Sequence, residues 1–131
     1  MAASTGPDGP ASGDSLLPDA ARVRLWVVLW TPLRPWAEIE PLLGDHLRYL
    51  VDLESRGMVF ASGPFGASGG ALPGAGMTVL RAGSREEAAA LAGADPLALA
   101  GLRSYALHPW SVVEGSLTVT LRYSDSRYTL G

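Results

Sequence analysis

The sequence predicts an α+β fold in which an antiparallel sheet carries two helices on one face, in the order βαββαβ, with one further strand at the C-terminus. Three observations lead there. Five short segments rich in β-branched, aromatic and leucine residues read as strands. Two segments with helical spacing or helical capping signals fall between the first and second strands and between the third and fourth. The chain has 131 residues, which is one domain's worth of core.

Residues 1–20 mix Gly, Pro, Ser and Asp with little to bury and read as a disordered tail, so the folded domain is expected over residues 21–131. Residues 22–30 form the first strand: Val23, Leu25, Val27 and Leu29 alternate with Arg24, Trp26, Val28 and Trp30. Both faces are apolar, so both need cover. The protein's own helices would cover one face. The other, expected to carry Trp26, Val28, Trp30, Phe60 and Trp110, would be covered by a second copy of the chain in a homodimer.

After Pro32 and Pro35, residues 36–56 read as a helix with Ile39, Leu43, Leu47 and Leu50 three or four apart, and Gly57 closes it. Pro41 lies inside this stretch, where a proline forfeits a backbone bond, so the helix is expected to kink there or to begin in earnest there. Residues 58–63 and 76–82 are the second and third strands, joined by a long glycine-rich hairpin loop. Ser84 followed by Glu86, Glu87 and a run of alanines is a capping-box start for the second helix. Asp95-Pro96 pairs a favoured N-cap with a favoured first helical residue. Residues 102–110 make the fourth strand. In 116–123, Leu117, Val119, Leu121 and Tyr123 alternate with polar residues as a half-buried fifth strand, placed to extend the sheet or reach a partner. The first four strands and two helices together have the ferredoxin-like arrangement.

Composition excludes several classes of function. The net charge is −3, from ten arginines against thirteen acids, with no basic cluster, which argues against nucleic acid and anionic membrane as partners. Cysteine is absent, removing disulfides, thiolate nucleophiles and cysteine-based zinc sites. The two histidines, His46 and His108, lie far apart in sequence and make a weak metal site, and no metal or cofactor is expected. The segment 66–76 lacks the Lys-Ser/Thr ending of a phosphate-binding loop. The N-terminus lacks the basic and apolar regions of a signal peptide, and the longest apolar run is too short to cross a bilayer, so a cytoplasmic protein is expected. A basic set made only of arginine, with abundant Ala and Gly, suggests a GC-rich bacterial genome.

With no lysine or cysteine, proton transfer near neutral pH falls to His46 or a carboxylate. His46 follows Leu43 by three residues and precedes Leu50 by four, while Leu42, His46, Tyr49 and Leu53 form an adjoining stripe, so the imidazole turns toward the sheet. Such a histidine is either a core residue bonded to a backbone carbonyl or a base whose tautomer a carboxylate fixes. Asp95 has its own structural reading as an N-cap, and His108, before Pro109, reads as structural or rim.

Several short motifs occur together: His46-Leu47-x-Tyr49-Leu50 with Gly57, Ala61-Ser-Gly63-Pro64-Phe65, the Gly76-Met77 strand, Ser84-x-Glu86-Glu87-Ala88, Ala94-Asp95-Pro96, and Trp110. In this order they resemble the YCII-related (YciI-like) proteins over residues 22–115. The resemblance implies a dimeric α/β-barrel relative of the ferredoxin-like fold, with a catalytic histidine and aspartate at His46 and Asp95. Gly63-Pro-Phe, Gly76-Met77 and the Trp110-x-x-x-Glu114-Gly115 ending are similar to a branch that removes HCl from a chlorinated hydroxyhydroquinone. Substrate contacts are then expected from Arg34, Tyr49, Ser62, Phe65, Met77 and Trp110, with Arg34 or Arg48 standing in for a basic residue that the family often carries just before the histidine. The implied function is a small cofactor-free lyase or isomerase that performs elimination, dehydration or tautomerisation on a small phenolic or quinol-like ring. A noncatalytic ligand-binding or accessory protein and a cofactor-independent oxygenase are the alternatives.

Overall fold

The structure is a computed structural model, and it describes residues 23–66 and 72–130. The tail expected over residues 1–20 and the middle of the glycine-rich loop lie outside the described residues. Contacts divide the described residues into two compact units, a larger one of residues 24–111 and a smaller one that holds residues 112–130.

The larger unit contains strands β1 (Val23–Pro32), β2 (Val59–Pro64), β3 (Gly76–Leu80) and β4 (Arg103–Val112), and helices α1 (Trp36–Ile39), α2 (Leu43–Ser55), α3 (Arg85–Gly93) and α4 (Pro96–Leu99). The sheet order is β2-β3-β1-β4, the ferredoxin-like order expected from the chain. β3 pairs antiparallel with β1, placing Trp26 opposite Leu80, Val28 opposite Thr78 and Trp30 opposite Gly76. β2 pairs antiparallel with β3, with a register shift between Val59 and Ala61. Phe60, at this irregularity, is exposed beneath the Arg81 guanidinium.

Pro41 does interrupt the first helical segment. Residues Glu40–Leu42 form a 3-10 turn with proline at its start, which separates α1 from α2. Two helices end in the same way. Gly57, at φ 77°, lets its own N–H bond the Glu54 carbonyl and that of Met58 bond the Leu53 carbonyl, and Gly101, at φ 73°, repeats the pattern after α4 with Ala98 and Leu97. The start of α3 also follows the sequence: Ser84 Oγ accepts from the Glu87 N–H at 3.1 Å, and Glu87 Oε1 reaches back to the Gly83 N–H at 2.6 Å.

The core corrects one expectation about faces. Val28 and Trp30 are buried with Leu53, Leu80, Ala88 and Ala92, and Trp26 packs against the same cluster, so these residues face the helices and not a dimer partner. An all-apolar strand has no parity signal of its own. The indole N–H of Trp30 supplies one, because it finds an acceptor in Thr78 Oγ1 at 3.0 Å, and its ring meets Tyr105 edge-on at 5.5 Å. Phe60 and Trp110 are exposed.

The C-terminal expectation also changes. In place of one strand over residues 116–123 there is a separate two-stranded antiparallel sheet of β5 (Val119–Arg122) and β6 (Arg127–Leu130). Its residues are exposed on both faces, so it is not half-buried. The reversal is built around Asp125, whose carboxylate takes the Arg127 N–H and the Arg122 guanidinium, with Ser126 left-handed at φ 57°.

Two substitutions test this account. Leu53→Ala removes a side chain that is 1 % exposed at the centre of the helix-sheet contact, and should lower unfolding free energy in urea titration by about 2–5 kcal/mol. Ser84→Ala should cost about 1 kcal/mol in the same measurement by removing the α3 cap.

Candidate functional site

Between α2 and the β2-β3 side of the sheet lies a cavity of about 760 Å³. Leu43, His46, Leu47 and Leu50 of α2 form one wall, and Ser62, Met77 and Thr78 lie on the sheet side. Trp30, Leu97 and Arg103 also line it, and the walls are predominantly apolar. Such a space suits one small, flat, largely apolar molecule with a few polar anchors.

His46 is one of two buried positions on α2, the other being Leu53 two turns later. Its Nδ1 lies 2.6 Å from Asp95 Oδ2, and both groups are buried, Asp95 at 1 % exposure. A carboxylate only accepts, so Nδ1 carries the shared proton and Nε2 is left as the acceptor. Asp95 is simultaneously the N-cap of α4, its Oδ1 accepting from the Leu97 N–H at 2.9 Å, with Pro96 opening the helix. The capping bond and the imidazole contact coexist, one on each oxygen.

A third titratable group was not anticipated. Arg103, the first residue of β4, is buried beside this pair, its Nη2 3.7 Å from Asp95 Oδ2 and 3.4 Å from His46 Nδ1. Its guanidinium lies over the Trp30 ring, 4.2 Å from the centroid, and Nη1 donates to the Gly74 carbonyl at 3.4 Å. Burial pushes the arginine pKa down, and the Asp95 charge opposes that shift. A signal for this residue did exist: Arg103, Tyr105 and Leu107 share a parity on β4, and the latter two pack against the core. Gly74 is held at φ 100°, and a Cβ there would come within 2.9 Å of Ile39, so the residue that presents this carbonyl has to be glycine.

The other expected contacts divide. Ser62 and Met77 line the cavity, and Ser62 Oγ lies 3.0 Å from Thr78 Oγ1, continuing the bond from Trp30. Tyr49 does not line it: its phenol donates to the Leu91 carbonyl of α3 at 2.7 Å, and burial raises its pKa. Arg34 is exposed and paired with Glu38 at 2.9 Å, and Arg48 pairs with Asp45 on the surface. Phe65 and Trp110 are exposed and lie outside the lining. Among the described residues, no group of three or more His, Cys, Asp or Glu side chains is arranged to hold a metal ion, and no helix is long and apolar enough to cross a membrane.

With this geometry established, comparison with known proteins places the chain. No curated protein matches its sequence. Among solved structures, it is similar to a 5-chloro-2-hydroxyhydroquinone dehydrochlorinase from Burkholderia phenoliruptrix AC1100, in complex with 2,5-dihydroxybenzoquinone, at 24 % identity and a TM-score of 0.56. The match covers 66 % of this chain and 92 % of that one, and it supports the fold. The profile of the YCII-related domain matches residues 25–111, the stretch that forms the sheet, its helices and the whole lining of the cavity, and the chain therefore belongs to the YCII-related family.

Proposed function

We propose that this protein is a small acid-base enzyme, a lyase or isomerase, acting on a small phenolic or quinol-like ring held in the cavity, with His46 as the proton-transferring group and Asp95 as its orienting partner. The observation that carries the reading is the 2.6 Å contact between a cavity-lining imidazole and a buried carboxylate. It fixes the tautomer so that Nε2 is the basic nitrogen. In the proposed step, Nε2 takes the proton of a ring hydroxyl, the O–H bonding pair stays on oxygen as a carbonyl forms, and the imidazolium delivers the proton to a ring carbon, giving tautomerisation. Where that carbon bears a leaving group such as chloride, loss of a second hydroxyl proton then expels it with its bonding pair, giving net elimination. The dehydrochlorinase to which the chain is similar has a quinonoid ring bound, which supports this substrate class. We also propose a homodimer, on the ground that Phe60 and Trp110 leave large aromatic surface exposed.

The test is chloride release from 5-chloro-2-hydroxyhydroquinone, together with calorimetric binding of 2,5-dihydroxybenzoquinone. His46→Gln should lower kcat by about 10²-fold or more while leaving affinity within a few-fold. Turnover unaffected by that change would sink the proposal. Binding without turnover by the unaltered protein would favour a ligand-binding role, and oxygen uptake during turnover an oxygenase.

Asp95 offers a second separation. Asp95→Asn keeps an acceptor for the Leu97 N–H, so thermal stability should fall less than in Asp95→Ala, yet both should lose most turnover. If Asp95→Asn were as active as the original, the carboxylate would be only a cap. Sedimentation at micromolar concentration should give twice the 13.7 kDa chain mass, and a monomer there would contradict the dimer.

A further inference from the structure

Arg103 is a buried cation whose hydrogen-bonding groups are left incompletely used. A guanidinium has five N–H donors and stays charged in proteins. Among the described residues Nε has no hydrogen-bond partner, Nη1 makes a long bond to the Gly74 carbonyl, and Nη2 stands 3.7 Å from the Asp95 carboxylate. The contact of Nη2 with His46 Nδ1 adds nothing once that nitrogen holds its proton for Asp95. The bonds that Asp95 does make go elsewhere, from Oδ2 to the imidazole and from Oδ1 to the Leu97 N–H at the start of α4. The lowered pKa of Arg103 agrees with a positive charge that burial strips of water faster than Asp95 neutralises it. Buried donors without partners ordinarily mark a strained site or a position that another molecule completes.

This side chain lines the same cavity as His46, and the remaining lining is mainly apolar, with two hydroxyls, Ser62 and Thr78, and one carboxylate, that of the exposed Glu54. We propose that Arg103 is the anion-binding residue of the cavity, selecting a planar ring that bears an ionised oxygen, whether phenolate, enolate or carboxylate, beside His46. The proposal deepens the acid-base reading and rests on it for the choice of site. It adds a reason for the ring class. Removing a proton from a ring hydroxyl leaves its electron pair on oxygen, and a desolvated guanidinium stabilises that charge more strongly than water does.

The experiment is isothermal titration of the full chain with benzoate, 4-nitrophenolate and benzamide, three rings of similar size of which only the first two are anions at mildly alkaline pH. At least one anion should bind the unaltered protein about tenfold or more tightly than benzamide, and which anion does so identifies the oxygen source. Arg103→Met should bring that ratio close to one, and Arg103→Lys should retain part of it. The preference should survive in His46→Gln, so that loss of the catalytic reading and loss of the anion site are seen separately. Equal affinity for benzamide and both anions in the unaltered protein, or no binding of either anion at millimolar concentration, overturns the proposal without reference to any variant.

Discussion

The carboxylate of Asp95 ties the larger unit's candidate site to its architecture. A buried carboxylate is tolerated only when its lone pairs are satisfied, and here a helix N-terminus, an imidazole and a nearby guanidinium surround it. Each of these comes from a different element. The start of α4, the rotation of α2 about its axis and the first residue of β4 must therefore all be correct before the charge is accommodated. Removing the group would leave Arg103 buried without the negative charge beside it, and α4 without its cap.

Much of this could be read in the chain. The strand order followed from element order and known packing rules, and the Ser84 and Asp95 caps and the Pro41 break were local signals that tertiary structure did not override. What escaped was information held in pairings between distant residues. The face of β1 that carries Trp26, Val28 and Trp30 was expected toward a partner, because both faces are apolar and nothing local separates them. Packing against Leu53, Ala88 and Ala92 turns it to the helices, and the Trp30 indole meets Thr78, 48 residues away. Arg103 escaped although it shares the parity of Tyr105 and Leu107 on β4, since a buried cation is uncommon and needs partners that sequence spacing does not display. Tyr49 sits on the correct side of α2, but its phenol is long enough to pass the cavity and tie the helix to α3. The C-terminal reversal at Asp125 lies within a polar run that also suited the end of a single strand.

The His46-Asp95 contact was legible only in part. Helical spacing turned the histidine inward, and the Asp-Pro step marked a cap, but nothing in a 49-residue separation says that the two meet. The family resemblance joined them, and the geometry gives that join a physical form: the oxygen not used for capping faces the imidazole.

Gly76 carries a consequence for how such a cavity can diversify. It lies opposite Trp30 in the sheet, and a Cβ there would stand 2.7 Å from the Gly63 carbonyl oxygen, a backbone atom with no room to give. At that point the wall is the main chain itself and is closed to change by point substitution. Lineages that reshape the cavity for another ring would do so through the side chains around it, Ser62 and Met77 on the sheet and Leu43, Leu47 and Leu50 on α2. Gly76 would act as a fixed point of the mould and these side chains as its interchangeable parts.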